Sequence, residues 1–287
     1  MSLFDYHEAF SRTLGWVTEA ELERLRGSRI AIAGMGGVGG FHLLTLARLG
    51  IGSFNLADFD SFALVNFNRQ AGAAMSTLGR RKLDVMSEMA RDINPELDLR
   101  LFPDGVTEGV LDEFLAGADL FVDGLDFFAL DIRQAVFAAC ARKGIPAITV
   151  APLGMGAALL NFMPGRMTFD EYFGFGRNAH LEKALRFFVG LAPARLQMGY
   201  LVDPARIDLG RQQGPSTPMG CMLCAGVAGT EALKILLGRG RVYAAPWGVH
   251  YDAFKNRLAR TWRPGGNDRN PLLRSALSLA RRRLLGK

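Results

Sequence analysis

The stretch Arg29-Ile30-Ala31-Ile32-Ala33-Gly34-Met35-Gly36-Gly37-Val38-Gly39 decides the fold. Its first five residues are a short apolar run closed by glycine, which reads as a buried strand. Its last six match G-x-G-x-x-G, and residues 38–49 continue as a helical pattern closed by Gly50. Glycine lets the backbone turn tightly and lets phosphates approach main-chain N–H groups, while the helix N-terminus adds a favourable dipole. A second strand over 53–57 ends at Asp58, 19 residues past Gly39. A carboxylate there is placed to accept hydrogen bonds from ribose hydroxyls. Gly34, Gly36, Gly37, Gly39 and Asp58 are therefore read as a nucleotide site. The loop alone leaves NAD, FAD and ATP open.

Outward from this unit, strands alternate with helices. A Thr-capped helix over 18–27 precedes it, and helices over 79–93, 107–115 and 130–143 follow. Further strands are expected over 97–102, 119–122 and 145–150, with another over 157–163. The alternation predicts an α/β fold: a doubly wound, Rossmann-like, mainly parallel sheet. An insertion is expected after the fifth strand, over 166–218, where aromatics, Gly and Pro gather around one helix at 179–189. The pattern resumes as a helix over 221–237, late antiparallel strands over 241–254, and a helix over 271–285. The aromatic run Phe169-Asp170-Glu171-Tyr172-Phe173-Gly174-Phe175 reads equally as a substrate lid or as an extra layer of core.

At 287 residues, 49% hydrophobic and 22% charged, the chain has material for a sizeable core. No uncharged apolar stretch of about 18 residues occurs, so no membrane span is expected. Residues 1–8 lack a basic region followed by an apolar run, so no secretory leader is expected. Three cysteines do not make a disulfide framework, and a cytoplasmic setting is the expectation. The net charge of +6 is uneven: residues 254–287 carry +9, leaving −3 for the rest. The organisation expected is an N-terminal segment (1–27), a nucleotide-binding domain (28–253) and a basic C-terminal tail (254–287). The tail's Arg281-Arg282-Arg283 is read as a solvated helix end in preference to a nucleic-acid contact.

The residues after Asp58 bear on the cofactor. Asp60, Asn66, Asn68 and Arg69 lie in the next connection, and Lys82 follows Gly79-Arg80-Arg81. A dehydrogenase has no general need for these groups. Attack at an α-phosphate does, because expelling pyrophosphate builds charge that cations must stabilise. Arg69 and Lys82 are the candidate cations and Asn66 a neutral donor; Arg80 and Arg81 are read as solvated. Magnesium needs a carboxylate near the phosphates, and Asp123 and Asp126 follow the fourth strand at the carboxyl edge.

Taken together, Gly34 to Gly39, Ala57-Asp58-Phe59-Asp60, Asn66-Phe67-Asn68-Arg69-Gln70, Lys82, Ile93-Asn94-Pro95 and Asp123-Gly124-Leu125-Asp126 resemble the ubiquitin-activating enzyme superfamily, in its bacterial ThiF/MoeB/HesA branch. Phe10-Ser11-Arg12 resembles that family's Tyr-Ser-Arg segment. The resemblance covers residues 8–163 and resumes over 225–251. It implies a homodimeric adenylyltransferase that uses ATP and Mg²⁺ to activate the C-terminal carboxylate of a small carrier protein or peptide. It implies that Asp58 holds the ribose, that Asn66, Arg69 and Lys82 hold the phosphates, that Asp126 binds Mg²⁺, and that Arg12 reaches the triphosphate of the neighbouring subunit. A related branch, the tRNA threonylcarbamoyladenosine dehydratases, activates a non-protein carboxylate and shares the Asn-x-Asn-Arg-Gln pattern; there the basic tail would meet RNA. A nicotinamide or flavin oxidoreductase is the outlying alternative.

The cysteines depart from the family pattern. Many relatives carry two C-x-x-C pairs that form a Cys₄ zinc site, whereas this chain has one, Cys221-Met222-Leu223-Cys224, so zinc is not expected. In relatives this neighbourhood carries a cysteine that receives an acyl group or bears a persulfide. A helix N-terminus lowers a thiol pKa, which makes Cys221 or Cys224 a candidate reactive thiol beside a structural reading. Cys140, in a helical apolar pattern, reads as a buried small residue.

Overall fold

The structure, a computed structural model, describes residues 4–285, with the side chains of 283–285 excepted. Residues 1–3 of the N-terminal stretch, the Arg283 side chain and Lys287 of the basic segment lie outside the described residues. The chain divides into two units: Met1–Leu125 with Ala225–Val242, and Asp126–Cys224 with Tyr243–Lys287.

In the first unit, α1 (Tyr6–Phe10) and α2 (Glu19–Arg26) lead into β1 (Arg29–Ala33). Thr18 and Glu21 form the reciprocal cap that starts α2. Then come α3 (Gly39–Arg48), β2 (Ser53–Ala57), α4 (Lys82–Ile93), β3 (Asp98–Phe102), α5 (Leu111–Phe114) and β4 (Leu120–Asp123). The four strands run parallel in the order β3-β2-β1-β4. Every residue of β1 is buried, as a strand covered on both faces must be. The N-terminal segment is tied down by Tyr6, whose Oη donates to the Gly50 carbonyl at 2.6 Å and whose ring packs on Phe10. A polar hub sits inside the sheet: Asn55 accepts from Arg29 Nη1 at 3.0 Å and donates to the Phe114 carbonyl at 2.7 Å.

In the second unit, α6 (Leu130–Lys143) precedes the strands β5 (Ala147–Leu153) and β6 (Gly156–Phe162). Helices α7 (Phe169–Phe173) and α8 (His180–Leu191) follow. Helix α9 (Pro218–Leu237) begins in this unit and passes to the first at Ala225. Strands β7 (Trp247–Asp252) and β8 (Arg257–Trp262) and helices α10 (Gly266–Arg269) and α11 (Pro271–Leu285) complete the chain. The ladder β5-β6-β7-β8 is antiparallel throughout. The α/β class, the parallel strands and the late antiparallel strands are as expected from the sequence.

Two features differ from the expectation, and a third decides between two readings left open. Helix α4 starts at Lys82 rather than at 79, because Gly79 takes φ +81° and Arg81 is still extended. Within residues 254–285, α11 is the helix expected over 271–285 and buries Leu273 and Leu277, but strand β8, paired with β7, replaces the expected tail. Glu182 of α8 binds Arg281 at 2.5 Å and Arg186 at 2.8 Å, and Arg186 reaches Asp268 at 2.6 Å. Arg281 first, then Arg186, hold the Glu182 carboxyl below its ordinary range. Arg281 therefore clasps α11 to α8 and is not a solvated tail cation. Finally, the aromatics at 169–175 form core and not a lid: Phe169, Tyr172, Phe173 and Phe175 are buried, and their rings pack against Phe187 or Phe162.

Helix α9 has the length and composition to cross a membrane, but most of it is buried in protein and it carries the Glu231–Lys234 ion pair.

Candidate active site

Strand register gathers the candidate groups at one edge. Ala33 stands opposite Ala57 on one side and Asp123 on the other, so Gly34, Asp58 and Asp123 emerge together at the carboxyl ends of β1, β2 and β4. That is where an open α/β sheet binds its ligands.

The glycine loop closes on itself. Gly34 takes φ +90°, and its N–H donates to the Ala57 carbonyl at 2.7 Å. A Cβ on Gly39 would lie 1.7 Å from the Gly34 carbonyl oxygen, and one on Gly34 would lie 2.2 Å from that of Gly124. These contacts are backbone on backbone and admit no side chain. Gly124 is thus a third obligatory glycine that the G-x-G-x-x-G spacing did not reveal; its N–H returns to the Ala33 carbonyl at 3.0 Å. Gly36 is different. A Cβ there would meet only Gln70 Nε2, at an ordinary 3.7 Å. The packing of the protein itself therefore does not require glycine at 36.

Asp58 braces this loop. Its Oδ2 accepts from Met35 N–H at 2.6 Å and its Oδ1 from Asp60 N–H at 2.7 Å. Burial pushes its carboxyl above the ordinary range, while those two N–H groups and the nearby Lys82 ammonium pull the other way. Lys82, 6% exposed at the first turn of α4, pairs with Asp60 Oδ2 at 2.9 Å. Asn66 Oδ1 accepts from Ala63 N–H at 2.9 Å; its Nδ2 makes no hydrogen bond among the described residues. Arg69 donates from Nη1 to the Val65 carbonyl at 3.1 Å and to Asn68 Oδ1 at 3.0 Å. Gln70, the last residue of the Asn66 to Gln70 pattern, joins them beside the loop. It is buried beside Gly36, and its Oε1 has no hydrogen-bond partner among the described residues. Arg80 is held by Glu88 and Arg81 by the Pro103 carbonyl, both away from any phosphate role.

The ThiF family profile matches residues 10–272. The chain belongs to the ThiF family. It is 34% identical over 151 residues to a tRNA threonylcarbamoyladenosine dehydratase of Haemophilus influenzae, covering 52% of this chain and 57% of that protein. It is 32% identical over 142 residues to the sulfur carrier protein ThiS adenylyltransferase of Escherichia coli, covering 50% and 56%. The chain thus spans about half the length of the curated relatives it matches. Its fold is similar to that of the E. coli dehydratase TcdA solved in complex with ATP, with a TM-score of 0.60 at 22% identity over 83% of this chain and 98% of that one.

The remaining ThiF-family candidates sit as follows. Arg12 lies in a single 3-10 turn, exposed, with no hydrogen bond or ion pair from its side chain among the described residues. Asp123 is buried and its Oδ1 accepts from Leu125 N–H at 3.1 Å. Asp126 is exposed and its Oδ1 accepts from Phe128 N–H at 2.9 Å. No group of three or more His, Cys, Asp or Glu able to hold a metal occurs among the described residues. The three cysteines are buried thiols. Helix α9 begins at Pro218, so Cys221 and Cys224 lie within its first two turns and not at its tip. Burial pushes the Cys224 thiol well above its ordinary range, with Cys221 adding to the effect. The expected lowering by a helix N-terminus is therefore not met at Cys224. Burial also pushes Cys140 up to about 12, as befits its small apolar role.

Proposed function

We propose that this chain is an ATP-dependent adenylyltransferase that converts a substrate carboxylate into an acyl-adenylate. One carboxylate oxygen attacks the α-phosphorus, the bond from that phosphorus to the bridging oxygen breaks, and pyrophosphate leaves with the bond electrons. The observation that carries the reading is the loop itself: Gly34, Gly39 and Gly124 are locked by contact, Gly36 has ordinary clearance, and the buried ammonium of Lys82 acts on Asp58, which braces the loop. In this reading Asp58 fixes the loop and accepts from the ribose; Asn66, Arg69 and Lys82 face the triphosphate, with Asp60 and Asn68 steering the two cations. The substrate carboxylate is already the nucleophile, so no general base is required, and catalysis is positioning and charge stabilisation. Arg12 belongs to this set as a group reaching a partner subunit's site in a homodimer. For Mg²⁺, one carboxylate at Asp126 fits an ion carried in by the triphosphate, since magnesium is commonly bound through one or two carboxylates plus phosphates. Its role there is to neutralise developing charge.

For the substrate, the comparisons favour a carboxylate carried on tRNA, as in the dehydratase relatives, over the C-terminus of a carrier protein. The basic segment after residue 254 supports it. The carrier-protein reading stands second, on the similarity to the ThiS adenylyltransferase.

The test is ATP–pyrophosphate exchange with tRNA bearing threonylcarbamoyladenosine and, separately, with a carrier protein ending in a free carboxylate. Exchange with the first alone supports the RNA reading, and exchange with the second alone reverses the order. If Lys82→Ala and Asp126→Ala both retain full exchange, the assigned site is wrong. Binding of tRNA should weaken steeply with salt.

A further inference from the structure

A pocket of about 170 Å³ lies within the second unit, where α6, β5, β6 and the turn after β6 meet. It is at the amino end of β5, beside Ala147 and its cross-strand partner Phe162. Open α/β sheets hold their catalytic ligands at the opposite, carboxyl end of such strands.

Three rings make the inner wall. Phe137 and Phe169 are stacked at 4.5 Å with 27° between their planes, and Phe162 meets Phe137 edge-on at 5.3 Å. Cys140 lines the same wall, and its burial keeps it a neutral thiol. Met163 and Met167, both half-buried, contribute flexible thioether side chains that adapt to a ring edge. The volume is that of a cavity known to admit one benzene ring, about 150 Å³.

The rim has a sign. Arg166 lines the pocket, is exposed, and its side chain makes no hydrogen bond or ion pair among the described residues. No Asp or Glu lines the pocket. An apolar slot whose lining includes one exposed arginine, its side chain uncommitted, suits a small flat body ending in an anion, because guanidinium pairs with carboxylate through two parallel N–H bonds. We propose that this pocket binds a monocyclic aromatic carboxylate, with its ring against Met163, Met167 and the outer edge of the packed Phe137, Phe162 and Phe169 rings, and its carboxylate on Arg166. The site is independent of the nucleotide loop, and the proposal does not rest on adenylation.

Benzoate, titrated into the full chain, tests it. The ¹³C-methyl NMR signals of Met163 and Met167 should shift saturably, at one site per chain. Arg166→Ala should weaken benzoate about tenfold, the scale of one hydrogen bond to a charged group, and leave toluene binding within about twofold. Ala141→Phe, placed on the exposed side of α6 at the rim, should abolish binding of both while keeping the wild-type thermal transition. Unsaturable shifts, silence of both methionine methyls, or equal benzoate affinity in wild type and both variants would each overturn the proposal. Should Ala141→Phe unfold the chain, the benzoate-against-toluene contrast in Arg166→Ala still decides.

Discussion

Gly34 and Gly39 meet backbone to backbone, so closely that a Cβ on Gly39 would lie 1.7 Å from the Gly34 carbonyl oxygen. Gly36, between them in sequence, has ordinary clearance. The same motif thus contains glycines of two kinds, and substitution separates them. Gly39→Ala should cost about 3 kcal/mol or more, at the upper end of overpacking penalties, because only backbone can yield. Gly36→Ala should leave stability within about 0.5 kcal/mol. Its ATP affinity should nevertheless fall at least about tenfold, or about 1.4 kcal/mol. Thermal denaturation and ATP titration of both variants check this; ATP affinity unchanged in Gly36→Ala would remove the loop from phosphate binding.

Asp58 accepts from two N–H groups with two oxygens, so Asp58→Asn must turn an amide N–H₂ toward one of them. The expected cost is about 1–3 kcal/mol of stability, the scale of an unsatisfied buried polar group. Nucleotide affinity should drop with it, since Met35 N–H no longer fixes the loop. Chemical denaturation with and without ATP measures both, and a variant as stable as wild type would contradict the bracing role.

Lys82 is buried while its partner Asp60 is largely exposed. Lys82→Met should therefore change stability by less than about 1 kcal/mol, because the Asp60 carboxylate stays hydrated. Adenylate formation should fall by about a hundredfold or more, as expected on removing a charge-stabilising donor. A stability loss without an activity loss would make Lys82 structural only.

His42 sits in α3, fully buried, with neither ring nitrogen hydrogen-bonded. Burial pushes it down from 6.5 to about 3, so the folded chain keeps it neutral while the unfolded chain protonates it near pH 6.5. The unfolded state then binds the extra proton, and stability falls as pH drops from about 6.5 towards 3, by up to about 1.4 kcal/mol per pH unit. His42→Leu should flatten that slope. Denaturation midpoints at pH 7.5 and 4.5 compare the two, and parallel slopes would exclude His42 as the titrating group.

Much of this was legible in the chain. The bounds Arg29–Ala33, Ser53–Ala57, Leu130–Lys143 and Pro271–Leu285 follow from apolar runs and helical periodicity bounded by glycine, Asp or proline. What stayed hidden was tertiary in origin. Strand β8, Arg257-Leu258-Ala259-Arg260-Thr261-Trp262, exposes four of its six residues, so its composition reads as a basic tail. Arg281 reads as solvated until Glu182, 99 residues earlier, is seen against it. Gly124 packs against Gly34 and Gln70 lies beside Gly36, neighbours that spacing along the chain does not encode.

Strand β8 ends the antiparallel ladder with β7 as its neighbour on one side. An open ladder edge is a template for another chain's strand, and this one also exposes Leu258 and Trp262. Arg257 and Arg260, both exposed on it, make two copies of that edge repel each other. Part of the positive charge of the C-terminal segment thus lies on this edge and opposes pairing between copies. Neutralising both arginines would convert a well-behaved margin of the molecule into a site of self-association, whatever it did to binding.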